Sequence, residues 1–449
     1  MSAQFDVFVI GTGSAGSAAA FACADAGLSV AICDNLPFGG TCALRGCDPK
    51  KVLVAAEETV DLFHRMRRTG VVAGSCAIDW PGLMRFKRSF TDPVPAGRER
   101  SYAESKIATF HGTAAFMSRE SLRIGEEGIE AEHFVVATGA KPAQLGFPGE
   151  EHLLDSTGFL ELETLPSRIV FVGGGYISFE FAHICARAGA KATIIHRGKR
   201  PLEKFDAELV GKLVDATTAL GVDVILDTAV SSIERSDNEF TVTANGQHFT
   251  ADLVVHGAGR RPAITDLDIQ RAGIAATQKG ITVNSYLQST TNSRVYAAGD
   301  SANSSGAPLT PVADYTGSVV AANIIHGNSK TISFDGIPSI VFTMPALGAV
   351  GLTQEYADAH RVKYRISKGD SSRWYSSRRV NEKTAAYRVL SDEASQRILG
   401  AHVVGPGTEE LINLFAAAMQ FNATAPQIEN TILAYPTYGS DISHMVSDV

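Results

Sequence analysis

The stretch "FDVFVIGTGSAGSAAAFACADAGLSVAICD" occupies residues 5–34. It reads as an apolar strand, a glycine-rich turn, an alanine-rich helix and a second apolar strand. Gly11, Gly13 and Gly16 stand in G-x-G-x-x-G spacing, with Ser14 and Ala15 between the last two. Glycines there allow a tight turn and a close backbone approach, so a pyrophosphate can rest on the amides of a helix N-terminus. The spacing gains its meaning from its place between strand and helix, and from Asp34 closing the second strand. A carboxylate at that point accepts from a ribose hydroxyl.

A second such unit is "SRIVFVGGGYISFEFAHICARAGAKATIIHR", residues 167–197. Gly173 and Gly175 hold the first two glycine positions, Tyr176 and Ile177 open the helix, and Ser178 takes the third small slot. Two dinucleotide units in one chain predict two nucleotides, with electron transfer between them. The units differ where ribose is read. Asp34 lies 23 residues after Gly11, whereas His196 lies 23 after Gly173 and is followed by Arg197, Lys199 and Arg200. An adenosine 2′-phosphate needs cations and is repelled by a carboxylate. The second unit is therefore expected to prefer NADPH to NADH. The alternative for such a run is a solvated basic loop.

At 449 residues the chain is about three domains long on a prior of roughly 150 residues each. Hydrophobic residues at 45% and charged residues at 20% suit a soluble globular protein. A net charge of -8 argues against nucleic acid or an anionic membrane as partner. No basic segment precedes the strand at Phe5 and no run of 18 apolar residues occurs, so the expectation is a cytoplasmic protein without a membrane span. Six cysteines make no disulfide framework, and a cytosolic disulfide is usually catalytic or sensing.

Two of the six lie in "GGTCALRGCDPKK", residues 39–51: Cys42 and Cys47. Taken alone they could be a redox pair, a metal clip or two small core residues. No second cysteine or histidine cluster completes four zinc ligands, so no metal is expected. Cys23, Cys33, Cys76 and Cys185 stand in apolar or helical settings and read as core.

Further motifs follow in order: "HFVVATGAKP" (133–142), "DLVVHGAGRRP" (252–262), "SRVYAAGDSAN" (293–303) and "LTPVA" (309–313). With these, the chain resembles the FAD-dependent pyridine nucleotide-disulfide reductases over essentially its whole length. The resemblance implies an α/β protein with two Rossmann-like dinucleotide-binding domains, for FAD and NAD(P)H, plus a C-terminal α+β dimerisation domain. It implies an FAD domain in two parts, 1–147 and 266–333, an NAD(P)H domain at 148–265, and an interface domain at 334–449 that makes a homodimer. Cys42 matches the outer interchange thiol and Cys47 the thiol against the flavin. The pair opens a helix, whose dipole favours thiolate. Lys51 and Glu180 match a lysine–carboxylate pair at the reactive edge of the flavin, and Tyr176 matches a gate lifted by nicotinamide. Gly40, Thr41, Thr138, Gly139, Gly259, Arg260 and Gly299 fall on the nucleotide turns, Asp300 on the ribityl chain, and Leu309, Thr310 and Pro311 beside the ring.

One segment departs from the resemblance. Where family members carry a histidine and, five residues on, a glutamate as acid and base, this chain reads "AYPTYGSD" (434–441), with Tyr435 and Ser440 in those places. The reading is an oxidoreductase that passes electrons from NADPH through FAD to Cys42–Cys47, and on to a small-molecule or protein disulfide, with Tyr435 at the acid–base position. The alternatives are a mercuric or other soft metal-ion (or quinone) reductase, and a flavin-bearing redox sensor with little turnover. "RWYSSRR" (373–379) is either a greeting surface for an anionic substrate or a solvated loop.

Overall fold

The computed structural model describes residues 3–447. The chain divides into two compact units: Met1–Lys50, Phe86–Ala143 and Arg260–Phe334 form one, and Lys51–Arg85, Gln144–Gly259 and Asp335–Val449 the other.

In the first unit, the strand Ala3–Ile10 lies between Val30–Asp34 and Glu127–Val136, all parallel. Ala108–His111 extends the sheet on one side and Val295–Ala297 pairs with Glu127–Val136. The antiparallel strands Ser121–Ile124 and Ala114–Phe116 complete it. Val7 to Ile10 are buried on both faces, which is why the sequence there is a continuous apolar run rather than an alternating one. The register sets Ile10 opposite Cys33 and Val136, so the three parallel strands end together at the glycine turn. The alanine-rich helix Ser14–Asp25 is small on purpose, because helix Thr310–His326 crosses it at backbone distance. A Cβ on Gly317 would lie 2.1 Å from the Ala15 carbonyl oxygen.

The second unit has a parallel sheet ordered Asp223–Ile225, Lys191–Ile195, Arg168–Val172, Leu253–His256. Helix Tyr176–Arg187 follows the third of these strands. A three-stranded antiparallel sheet, Val230–Ser236, Glu239–Ala244 and Gln247–Ala251, is inserted before the last. From residue 339 onward the chain builds a five-stranded antiparallel sheet in which Ala346–Gly351, Ile398–Gly405 and Ala386–Asp392 are central. Helix Thr408–Gln420 lies against it, close enough that a Cβ on Gly348 would meet Thr408 at 2.7 Å. Two β-turn-α nucleotide units and a C-terminal sheet with helices are the α/β architecture that the sequence led us to expect. Among the described residues no helix is long and apolar enough to cross a membrane.

Candidate redox site

The first glycine turn shows why its residues are what they are. Gly11 has φ 109°, and a Cβ there would fall 2.3 Å from the Ala137 carbonyl oxygen. Helix Ser14–Asp25 starts after Gly13 with no side-chain cap, which leaves its first amides for a ligand. Gly40, at φ 70°, brings its own loop against Gly13, where a Cβ would stand 2.3 Å from the Gly13 Cα. The Thr12 hydroxyl ties these pieces together, accepting from the Gly39 amide at 3.1 Å and donating to Asp34 Oδ2 at 2.7 Å. Asp34 also accepts from the amides of Thr12 and Leu36. Its loop thus holds the carboxylate in place, with one lone pair on Oδ1 left for a ribose hydroxyl. The Thr138 hydroxyl is buried and has no hydrogen-bond partner. Gly139, at φ 66°, follows it. Gly299 donates to Thr316 Oγ1, and burial raises the Asp300 carboxyl above its ordinary range against the opposing charge of Arg260. An uncapped helix start, a cradle with no room for Cβ atoms and an orphaned buried hydroxyl fit FAD.

The two cysteines flank a break between helices. Cys42 lies in the short helix Gly40–Arg45, which opens with Gly40 and Thr41, and Cys47 is the first residue of Cys47–Arg67. Gly46 separates the helices, so the spacing of five does not have to fit one regular helix face. Both thiols are free. Cys47 Sγ lies 3.2 Å from Thr310 Oγ1, on the first residue of helix Thr310–His326, beside Leu309 and Pro311. The Cys42 thiol hydrogen-bonds Cys47 and pulls it down to about 6, helped by Thr310 and the Lys50 ammonium and opposed by burial and Asp48. The same bond pushes Cys42 up, and burial adds to it. Cys47 is therefore the more acidic thiol of the pair and Cys42 the less acidic.

Lys51 and Glu180, expected as a pair, have these neighbours in the structure. The Lys51 ammonium donates to Glu58 at 2.7 Å and stands 4.7 Å above the Phe342 ring. Glu180, buried on helix Tyr176–Arg187, accepts from the Phe342 amide at 2.8 Å. Lys50, one residue earlier, carries an ammonium that favours the Cys47 thiolate. Adjacent helical residues point about 100° apart, so a one-residue shift changes the face entirely. The sequence reading also passed over Glu57. It is fully buried, its Oε1 accepts from Arg187 at 3.0 Å, and its Oε2 has no partner. Burial pushes this carboxyl up to about 8 against the attraction of Arg187. Neighbouring His183 is also fully buried and is driven well below its ordinary range by burial and by Arg187. The available signal was helical spacing, since residues 180, 183 and 187 share one face of their helix.

In the second nucleotide turn, Gly173 has φ 110° and a Cβ there would meet the Ala258 Cα at 2.5 Å. Gly175 caps helix Tyr176–Arg187 without a side chain, and Tyr176 is 46% exposed at its start, followed by half-buried Ile177. Ser178 fits the third slot because residue 257 is glycine, whose Cβ would lie 1.9 Å from the serine hydroxyl. Gly259, at φ 107°, turns the chain into strand Arg260–Pro262, and the Arg260 guanidinium donates to the Ala140 carbonyl. At the basic loop, Arg200 is paired with Glu355 at 2.6 Å, while Arg197 and Lys199 are exposed.

The C-terminal segment presents Tyr435 at 76% exposure, its ring 6.2 Å from that of Tyr375. Ser440 is turned away from any histidine-orienting role: its hydroxyl donates to the Thr437 carbonyl at 2.7 Å and closes a capping box with that residue. Within "RWYSSRR", Tyr375–Arg378 forms a helical turn and the Arg379 guanidinium stacks 4.7 Å from the Tyr438 ring.

Comparison with known proteins agrees with this geometry. Residues 5–317 match the family model described as pyridine nucleotide-disulphide oxidoreductase, and residues 337–446 match the dimerisation domain of the same family. The dihydrolipoyl dehydrogenase of Chlamydia pneumoniae is 30% identical over 441 residues, covering 97% of this chain and 95% of that one. A mercuric reductase of Staphylococcus aureus is 29% identical, covering 97% of this chain and 80% of its own length. The Cu(II) complex of the HOCl-induced flavoprotein disulfide reductase RclA from Escherichia coli superposes with a TM-score of 0.89 at 25% identity, over 99% of both chains. With FAD and a pyridine nucleotide as the cofactors of that family, the chain belongs to the pyridine nucleotide-disulphide oxidoreductases.

Proposed function

We propose that the protein is an NADPH-dependent flavoprotein reductase in which Cys42 and Cys47 carry the electron pair to an external acceptor, working as a homodimer. The observation that carries this reading is the pair of free thiols on either side of the helix break at Gly46, with Cys47 Sγ 3.2 Å from Thr310 Oγ1. FAD, when bound, supplies the relay of an electron pair from NADPH that no side chain can provide. Two electrons and one proton convert the Cys42–Cys47 disulfide into thiol and thiolate. Once deprotonated, Cys42 attacks an acceptor disulfide, forming a mixed disulfide and expelling one thiolate. Cys47 then attacks the Cys42 sulfur, restoring the internal disulfide and expelling the second.

The acceptor is where Tyr435 matters. A histidine near pKa 6.5 gives and takes protons at neutral pH, whereas a tyrosine near 10 can only donate. Ser440 is committed to Thr437 and offers no base. A thiophilic metal ion held by two thiolates needs no protonated leaving group. We therefore favour a thiophilic ion such as Cu(II) or Hg(II), or a quinone, over glutathione-type disulfides. The likeness to a mercuric reductase and to a reductase solved with Cu(II) supports this second step of the reading. The test is steady-state NADPH consumption by the FAD-loaded protein with glutathione disulfide, lipoamide, Hg(II), Cu(II) and a benzoquinone. Faster turnover with an ion or quinone is expected. Brisk glutathione turnover at pH 7 would overturn the choice of acceptor, and no turnover with any of them would favour a sensor.

A further inference from the structure

His196 stands at the end of strand Lys191–Ile195, where a dinucleotide fold reads the ribose. Its ring is not free to do so. The Gly174 amide donates to Nδ1 at 3.1 Å, and Nε2 lies 3.0 Å from the Arg200 carbonyl oxygen. An amide can only donate and a carbonyl can only accept, so the ring is fixed as the tautomer with its proton on Nε2. Both nitrogens are spent on backbone. The ring is also wedged: a Cβ on Gly174 would lie 2.7 Å from its Cγ, and a Cβ on Gly198 2.8 Å from its Nε2. Main-chain bonds hold the same loop from behind, Thr228 N–H to the His196 carbonyl and Asp227 N–H to that of Gly198.

We infer that His196 is a strut rather than a ligand: it latches the glycine turn at Gly174 to the basic loop 197–200, and so positions Arg197 and Lys199 as the cation pair that receives the adenosine 2′-phosphate. This rests on the NADPH reading above and deepens it. Arg200 is engaged by Glu355 and by the Glu203 carbonyl, which leaves the other two cations exposed and, among the described residues, without a hydrogen bond or ion pair. Glu203 is the acid on this loop, its Oε1 3.4 Å from the Cβ that Gly198 lacks. A strut has a signature that a phosphate ligand lacks. The glycine turn serves the pyrophosphate, which both coenzymes share, so unlatching it weakens both, and misplacing the cations weakens the phosphorylated one further.

The test measures binding of ADP-ribose and of 2′-phospho-ADP-ribose to the FAD-loaded full-length protein by calorimetry. His196→Ala should weaken ADP-ribose about three- to tenfold, the usual effect of one or two neutral hydrogen bonds. It should weaken the 2′-phosphorylated ligand about ten- to a hundredfold more, as lost charge-assisted contacts do. Arg197→Ala should weaken only the phosphorylated ligand. His196→Asn, which restores an acceptor near Gly174, should recover the ADP-ribose loss. Gly198→Ala displaces the intact ring and should reproduce the His196→Ala pattern, which serves if that variant does not fold. If His196→Ala and Gly198→Ala leave ADP-ribose binding unchanged, the strut is refuted. Equal affinity of the unaltered protein for the two ligands would instead refute the NADPH reading, and the ADP-ribose loss would still decide the strut.

Discussion

Replacing Thr310 by valine removes the hydroxyl 3.2 Å from Cys47 while keeping the side-chain shape. That hydroxyl is one of three influences that draw Cys47 down to about 6, after the Cys42 thiol and ahead of Lys50. A hydrogen bond to a charged group is worth about 1.5–3 kcal/mol, and the lower figure suits a thiolate on an exposed residue. At 1.36 kcal/mol per unit, the Cys47 thiol should rise by about one unit. The sign follows from the contact: the hydroxyl stabilises the deprotonated form, so its loss favours the protonated one. The assay is a pH titration of the two-electron-reduced, FAD-loaded protein, following the long-wavelength absorbance that a thiolate gives against oxidised flavin. The midpoint should move up by about one unit in Thr310→Val and stay in place in Thr310→Ser. An unmoved midpoint in the valine variant would show that Thr310 does not stabilise the thiolate. A downward shift would mean that the sequence of causes is wrong.

The roles of the two cysteines predict opposite effects on that band: Cys47→Ser should abolish it, and Cys42→Ser should preserve or strengthen it, because the thiolate can no longer close a disulfide. Tyr435→Phe should slow reduction of the physiological acceptor by about a hundredfold or more if the tyrosine is its proton donor, while NADPH still bleaches the flavin in a stopped-flow trace. Glu57 binds its proton more tightly folded than unfolded, its carboxyl lying near 8 rather than near 4.5. Between those values the folded state holds a proton that the unfolded chain has released, so stability falls as pH rises. Thermal unfolding of Glu57→Gln should accordingly vary less from pH 5 to pH 8 than that of the unaltered protein.

Local chemistry was legible in the sequence and long-range pairing was not. Gly16 announces the nucleotide turn because the Gly11 carbonyl, five residues back, leaves no room for a Cβ, whereas the tightness at Gly11 itself comes from Ala137 at the end of another strand. Ser178 in the third slot of the other unit looks like a blemish until Gly257, almost eighty residues on, is seen to lack the atom that would collide with it. Arg200 reads as a phosphate cation because it closes the basic run after His196, but its partner is Glu355, 155 residues on. Cys47 and Thr310 are 263 residues apart, and only the fold makes them neighbours. Ser440 was read as a lost glutamate, which its capping of Thr437 makes physical: the position now serves the backbone.

The central claim is that electrons from the pyridine nucleotide reach Cys42 and Cys47. Anaerobic titration of the oxidised, FAD-loaded protein with NADPH, followed by alkylation and peptide mass analysis, asks this directly. The account predicts that Cys42 and Cys47 resist alkylation before NADPH and are both labelled after it, with Cys23, Cys33 and Cys185 unlabelled throughout because they are buried. Flavin that bleaches while Cys42 and Cys47 remain unlabelled would contradict it.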